Sequence, residues 1–338
     1  MGEQAKMSLT LEQVGKLAGV SRSTVSRVIN DHPSVRDDVR ERVWEVIHQT
    51  GYQPHAAARS LVTRRTQIIG VIIPETVNRL FTEPFFLRLI QGITEGCNAR
   101  GYHLMLSLLT SRDRREATYR NVIRNGYLDG LIVASAELSD SLIPDLQREE
   151  IPFVLVGRHT NRHVHYVDAG NVVGARTAVE HLIRLGHRRI GIITGRLDTP
   201  GGDDRFRGYR QGLEAHHIPL DDGLIAHGDF TEGSGMAGMQ ELLPASPTAV
   251  FVSSDTMAIG ALKVLRQTGR RVPQDVALIG FDDIPLSSAV EPPLTTVRQP
   301  IAQMGETAVE ILLSLLDHPG AEPQAVILPT ELIIRESC

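Results

Sequence analysis

Cysteine is nearly absent from the 338 residues: Cys97 and Cys338 are the only two, there is one tryptophan, and aromatics make up 4%. Two thiols are too few for a disulfide framework or a Cys-based structural zinc site. Long apolar runs are also missing. Residues 68–73, the longest near the front, fall far short of the roughly 18 that a membrane span requires. The opening residues, Met1 to Ser8, contain no apolar h-region, so the expectation is a cytoplasmic protein with no membrane partner. Hydrophobic residues at 41% and charged residues at 22% exclude long disorder and leave a globular chain of two or three domains.

Positive charge is scarce overall, with 35 Lys+Arg against 40 Asp+Glu and a net charge of -5. It is unevenly spread. Residues 1–65 hold ten basic and seven acidic residues, a balance of +3, which leaves 25 basic and 33 acidic for the rest, a balance of -8. Such asymmetry hints at a separate nucleic-acid-binding end.

Three short helices are predicted in that basic end. Thr10 and Gln13 form a capping box, after which Leu11, Val14, Leu17 and Ala18 share a face. Gly19 breaks the helix, and Ser21 caps a second one from Arg22 to about Asn30, with Val25, Val28 and Ile29 inward. The third starts after Ser34, with Asp37 at an N3-like position, buries Val35, Val39, Val43, Val46 and Ile47, and ends at Gly51; Trp44 is read as packing within it. Two helices joined by a tight turn, the second polar outside, spell a helix-turn-helix. A helix fits the major groove, where base pairs present distinct donors and acceptors. Arg22 and Arg27 suit guanine O6/N7, while Ser23, Thr24 and Ser26 suit phosphates or bases. Read from the residues alone, a small helical bundle with solvated Arg and Ser remains an open alternative.

The runs Leu9 to Ser21 and Thr24-Val25-Ser26-Arg27-Val28-Ile29-Asn30 resemble the headpiece of the lactose-repressor family of bacterial transcription regulators. The resemblance implies that Gly51 to Leu61 contains a hinge helix, with Leu61 as a minor-groove wedge and Ala58 on the groove floor. An apolar wedge unstacks a base step and bends the duplex. A seven-residue helix is marginal alone and so can melt and reform. Leu61 as an ordinary linker residue is the bland alternative. The expected DNA-contacting set is Thr10, Ser21, Arg22, Ser23, Thr24, Ser26, Arg27, Asn30, Tyr52, His55, Ala58, Arg59 and Leu61.

Beyond residue 66, short apolar runs alternate with amphipathic helices. Strands are predicted at residues 68–73, 103–107, 130–134, 153–156, 189–193, 249–253 and 276–281, with helices such as 85–100 and 176–185 between them. That alternation means doubly wound parallel sheets, and the strand count suits two halves. His181 to Gly191, Arg271 to Asp283 and Pro293 to Val297 extend the resemblance across the chain. It implies an α/β core like type I periplasmic-binding proteins, two parallel-sheet lobes around a cleft. The expected division is a headpiece at 1–53, hinge and linker at 54–65, and a ligand-binding and dimerisation core at 66–338. Within the core, lobe one takes about 66–168 and 298–325, and lobe two about 169–297 and 326–338. The final return to lobe two falls near Val326–Leu328.

Ligands bind at the carboxyl ends of the strands, between lobes. The matched positions there are Phe85, Phe86, Arg158, Arg205, Phe230, Ser254, Asp255 and Asp282, a set that suits a sugar. Charged groups fix hydroxyls and phenyl faces cover a pyranose ring. Core packing for the phenylalanines and an interlobe salt bridge for Arg205 and Asp282 remain open. The stretch Leu80 to Phe86, together with Tyr166-Val167-Asp168 and Gly228-Asp229-Phe230, looks like family members that respond to cellobiose or maltose. Ser254 departs from the Asn, and Gly170-Asn171 from the Asp-Asn, that the family often carries.

Other chemistries lack support. Thr199-Pro200-Gly201-Gly202 is followed by no Lys-Ser/Thr, so it is not a P-loop. Glu232 occupies the glycine position of a nucleophile elbow. His163, His165, His181 and His187 have no carboxylate or cysteine at ligand spacing. The expectation is a transcriptional regulator, a repressor of carbohydrate-utilisation genes, that needs no cofactor or metal and is not an enzyme. It binds a palindromic operator as a homodimer or tetramer, is nucleoid-associated when bound, and answers to a sugar effector. A sugar receptor and a sugar-modifying enzyme are the alternatives. No leucine heptad follows the last strand, which argues against a C-terminal coiled coil.

Overall fold

The structure is a computed structural model that describes residues 9–29, 32–52, 65–76, 80, 83–109, 127–134, 137–138, 142–161 and 163–338. The chain divides into two compact units, Met1–Thr66 and Gln67–Cys338. Among the described residues, no helix is long and apolar enough to cross a membrane.

The first unit holds α1 (Leu11–Ala18), α2 (Arg22–Ile29) and α3 (Asp37–Thr50). The capping box forms as expected: Thr10 Oγ1 accepts from the Gln13 amide at 3.3 Å, and the Thr10 amide donates to Gln13 Oε1 at 2.7 Å. Ser21 Oγ accepts from the Thr24 amide at 3.1 Å and so starts α2. Val14, Ala18, Val25, Val28, Val43, Ile47 and Tyr52 close a small core. Three expectations change here. Asp37 is the first residue of α3 rather than its third, because Arg36 is the cap. Leu17 is 59% exposed, since the three-helix core is too narrow to cover the whole apolar stripe of α1. Trp44 is 39% exposed and lies beside His48, outside the core it was expected to fill.

The second unit has two six-stranded sheets. The first, in order β11-β5-β4-β3-β1-β2, comprises β1 (Ile68–Thr76), β2 (His103–Leu109), β3 (Gly130–Ala134), β4 (Phe153–Val156), β5 (His165–Ala169) and β11 (Ala325–Leu328), all paired in parallel. The second, in order β12-β10-β9-β8-β6-β7, comprises β6 (Ile190–Thr194), β7 (Ile225–His227), β8 (Ala249–Val252), β9 (Ala277–Asp282), β10 (Thr295–Arg298) and the antiparallel β12 (Glu331–Ile333). The central strands β3, β4, β6, β8 and β9 are buried along their whole length, as strands covered on both faces must be.

Helices α4 (Pro84–Asn98) and α5 (Leu142–Arg148) belong to the first lobe; α6 (Asn171–Arg184), α7 (Pro200–Ala215), α8 (Glu232–Leu242) and α9 (Asp255–Gln267) to the second. Helix α10 (Ile301–Asp317) returns to lobe one, where Met304, Ala308, Val309 and Leu312 pack with Leu89, Ile93 and Cys97 of α4. The last crossover differs from expectation. Val326, Ile327 and Leu328 pair with Val167, Asp168 and Ala169 of β5 in the first sheet, so the chain passes to lobe two only after Leu328. A four-residue apolar run gives no sign of which sheet edge it will join.

Candidate functional site

In the first unit, Arg22, Ser23 and Arg27 of α2 are exposed, and Thr24 and Ser26 are half-buried. This is the polar face a groove-reading helix needs. Thr10 and Ser21 accept backbone amides on their hydroxyl oxygens, which fixes where α1 and α2 begin and leaves each hydroxyl a proton to donate. Tyr52, expected to touch DNA, is 7% exposed within the headpiece core, and burial pushes its phenol up. Asn30, His55, Ala58, Arg59 and Leu61 lie outside the described residues.

In the second unit, all the parallel strands run their carboxyl ends toward one cleft, and the N-termini of α4, α6, α7, α9 and α10 follow them there. The cleft is lined from lobe one by Glu83, Phe85, Phe86 and Gly157, and from lobe two by Asn171, Arg196, Arg205, Phe230, Ser254 and Asp282, with Gln299 on a crossover. Six of the eight expected positions therefore meet: Phe85, Phe86, Arg205, Phe230, Ser254 and Asp282.

A continuous polar chain forms the floor. Asp168 Oδ2 accepts from the Arg158 amide at 3.0 Å, and Asp168 Oδ1 accepts from Asn171 Nδ2 at 3.0 Å. Asn171 Oδ1 accepts from Arg205 Nε at 3.0 Å. Arg205 Nη1 donates to the Ser253 carbonyl at 2.6 Å and stands 3.3 Å from Asp282 Oδ1, which accepts from Gln299 Nε2 at 2.6 Å. The Arg205–Asp282 pair thus exists, but within lobe two, since α7 and β9 both belong there. Asp282 has φ 114, a conformation a β-carbon disfavours, and such strain persists only where surrounding contacts impose it.

Burial dominates the electrostatics. It pushes the Asp168 carboxyl up to about 6 against two backbone amides that oppose it. It likewise raises Asp282, with Arg205 opposing, and lowers Arg205, with Asp282 opposing. The guanidinium favours the ionised forms of both carboxyls in a place where burial favours the protonated ones.

The aromatic lining comes from both lobes. Phe85 and Phe86 meet edge-to-face at 5.4 Å, with Phe86 rooted in the lobe-one core. Phe230 has φ 73, and its ring lies where a β-carbon on Gly195 would be, 2.1 Å from Cζ. Arg205 sits over the Phe281 ring at 3.9 Å and 5.8 Å from the Phe230 ring.

Two expected residues do not line the cleft. Arg158 turns into α7, with Nε 2.9 Å from both Asp204 oxygens and Nη2 2.6 Å from Asp203 Oδ2, because two adjacent carboxylates outcompete solvent for a guanidinium fork. Asp255 is fully buried. It accepts from the Ile284 amide, Ser287 Oγ and Thr296 Oγ1, and so ties α9 to β10 and the loop after β9. Ser254 reaches the cleft, though its hydroxyl caps α9 by accepting from the Met257 amide at 3.2 Å. Glu83, Arg196, Thr256 and Gln299 escaped sequence reasoning; Asp168 and Asn171 were not counted as liners either, although the motif resemblance at Tyr166-Val167-Asp168 and Gly170-Asn171 pointed to that stretch.

A helix-turn-helix unit joined to a two-lobed ligand-binding core defines a ligand-controlled, DNA-binding transcriptional regulator. The chain belongs to the lacI family of bacterial regulatory proteins: residues 10–55 match that family and residues 179–338 match the periplasmic binding protein-like domain. It is 40% identical over 333 residues to the HTH-type transcriptional regulator CelR of Thermobifida fusca, covering 97% of this chain and 98% of that protein. A solved structure described as a transcriptional regulator CelR-cellobiose complex is 38% identical with a TM-score of 0.78, over 98% of this chain and 100% of that one. The lac repressor dimer bound to operator and the anti-inducer ONPF superposes with a TM-score of 0.85 at 26% identity, over 98% and 99% of the two chains.

Proposed function

We propose that this regulator is a homodimeric repressor of carbohydrate-utilisation genes whose cleft takes a disaccharide, cellobiose first among the candidates and maltose second. What carries the reading is the combination of a charged hydrogen-bonding floor, Asp168–Asn171–Arg205–Asp282, with phenyl faces from both lobes. Hydroxyls bond to the floor while the apolar face of a pyranose stacks on Phe85 and Phe230. The likeness to a cellobiose-bound relative points the same way. Two headpieces on a palindromic operator imply a two-fold dimer. On this reading the cleft binds its ligand without transforming it, and the protein works in the cytoplasm. The DNA-contacting groups proposed on α2 are Arg22, Ser23, Thr24, Ser26 and Arg27.

A thermal-shift series with cellobiose and maltose is the direct test, because a ligand at 100 times its Kd adds about 2.7 kcal/mol. A stable Tm with both sugars sinks the disaccharide reading. For DNA, operators are selected from a random duplex library by the full-length protein. Arg27→Ala is expected to weaken gel-shift affinity by 1–3 kcal/mol, roughly 5- to 150-fold; wild-type affinity would remove Arg27 from the interface.

The buried carboxylates also set a pH response with two opposite signs. Asp168 holds its proton up to about pH 6 in the fold and only to about pH 4 when unfolded. The folded state therefore binds the extra proton, and this group's contribution to stability rises as pH falls from about 6 to about 4. Sugar hydroxyls need the ionised acceptor, so effector affinity falls over the same interval. Calorimetric titration at pH 7 and pH 5 should show weaker binding at pH 5, and equal affinity would count against the carboxylate floor.

A further inference from the structure

Among the described residues, polar contacts away from the peptide crossovers join the lobes around the cleft at three places. Arg88 Nη1 of α4 donates to the Asp283 carbonyl at 3.0 Å. Arg158 binds Asp203 and Asp204. In the third, Arg196 Nη2, in the loop after β6, reaches Glu137 Oε1, in the loop after β3, at 2.8 Å. Beside it the Leu138 amide donates to the Asp198 carbonyl at 2.8 Å.

The position of this third contact is distinctive. The chain crosses between lobes after β5, β10 and β11, at one edge of each sheet. In the strand order, β3 lies two strands from β5 and β6 lies three from β10. Asp168, Asn171 and Gln299 line the cleft beside the crossovers, and Arg196 lines it from a strand three removed from β10. The Arg196–Glu137 pair therefore bridges the two lobes away from the crossovers, beside the segments after β1 and β7 that carry Phe85 and Phe230.

Arg196 is held firmly for this task. Its carbonyl accepts from Thr199 Oγ1 at 2.7 Å, and a β-carbon at Gly202 would come within 1.9 Å of that oxygen, so the loop is seated against the first turn of α7. Its guanidinium is shared between Glu137 and Asp198, the latter at 2.6 Å from Nη2. With side chains only 10% and 25% exposed, the Arg196–Glu137 pair is sheltered, and screening by solvent is weaker than for an open surface pair.

We propose that Arg196 and Glu137 form a latch across the mouth of the cleft that sets the length of the sugar it accepts. A disaccharide lies between the floor and the closed latch. A longer oligosaccharide leaves through the mouth and must part Arg196 from Glu137. The inference rests on the sugar reading above and names the element of that same site that selects chain length.

The latch is tested with the full-length protein and Glu137→Gln, which keeps the side-chain size but removes the charge from a residue that does not line the cleft. Cellobiose, cellotriose and cellotetraose are titrated by calorimetry. The wild type is expected to prefer the disaccharide, and Glu137→Gln to shrink the cellotriose-to-cellobiose Kd ratio about 5- to 10-fold, the worth of a sheltered ion pair. Glu310→Gln, which breaks the Arg100–Glu310 pair within lobe one, should leave the ratio unchanged. An unaltered ratio in Glu137→Gln overturns the gate.

Hydrogen exchange at the Leu138 amide reads the latch without any sugar. That amide should be protected in the wild type and exchange at least about tenfold faster in Glu137→Gln, while equal rates overturn the latch. If no cello-oligosaccharide binds the wild type, the sugar reading falls and the exchange experiment alone decides the latch.

Discussion

Replacing Arg205 by Met is expected to abolish the effector response and to destabilise the core by about 3–5 kcal/mol, the cost of leaving a buried charge uncompensated. Arg205 is the hub of the cleft floor. Its Nε serves Asn171, its Nη1 serves the Ser253 carbonyl, and its charge stands beside Asp282. Methionine fills a similar volume over the Phe281 ring but satisfies none of these groups. Asp282 and Asp168 then take up protons, and the acceptors meant for sugar hydroxyls are lost with the cation. The Tm should fall on the order of 10 °C, with no further shift on adding cellobiose. Arg205→Lys separates stability from recognition: the charge survives, yet one ammonium cannot reach three partners in the plane of a guanidinium fork. Lysine should therefore recover part of the Tm and little of the binding. An Arg205→Met protein that melts and responds like wild type would remove Arg205 from the centre of the site.

Asp255→Ala is the second large effect, and it acts by another route. Here the loss is structural: the carboxylate accepts from Thr296 Oγ1 at 2.6 Å, Ser287 Oγ at 2.5 Å and the Ile284 amide at 3.0 Å, all buried. An unsatisfied buried donor costs about 1–3 kcal/mol, and three that share one acceptor sum to less than three separate losses. A fall of about 3–5 kcal/mol follows, read as a lower urea midpoint. Burial and the Asp282 charge both push the Asp255 carboxyl up, so its removal takes no needed charge from beside Asp282. The surviving folded protein should bind cellobiose at pH 6 at least as well as wild type, whereas a ligand-contacting role predicts loss of binding. Unchanged stability together with lost binding would return Asp255 to the effector site.

Local features of the chain were legible in advance. The Thr10–Gln13 capping box, the Ser21 cap and the Val14, Val25, Val28 and Val43 core depend on residues a few positions apart, and they form as the spacing predicts. The alternation of apolar runs with helices identified both lobes, and motif resemblance placed Phe85, Phe230 and Asp282 at strand ends where a parallel fold puts its ligands. The errors share a cause. Leu17 sits on an apolar stripe wider than a small bundle covers, Trp44 lies beside His48 instead of in the core, and Tyr52, counted with the DNA contacts by resemblance, packs inward because the chain turns back on the core after α3. Arg158 and Asp255 were correctly placed near strand ends, yet which way each side chain turns depends on partners 29 to 46 positions away.

The sequence by itself determined the class of this protein: capping, periodicity and charge distribution, all short-range properties, marked a basic three-helix end followed by two doubly wound lobes, and the resemblance of Leu9 to Asn30 to lactose-repressor headpieces made that end a DNA reader. Only the tertiary structure decided how the cleft works. It joined Asp168, Asn171, Arg205, Asp282 and Gln299 into one floor, put β11 in the first sheet, withdrew Arg158 and Asp255 from the lining, and set Arg196 against Glu137. Each of these depends on which charged and polar groups find one another once burial has taken water away, and that competition is settled by packing across the whole core.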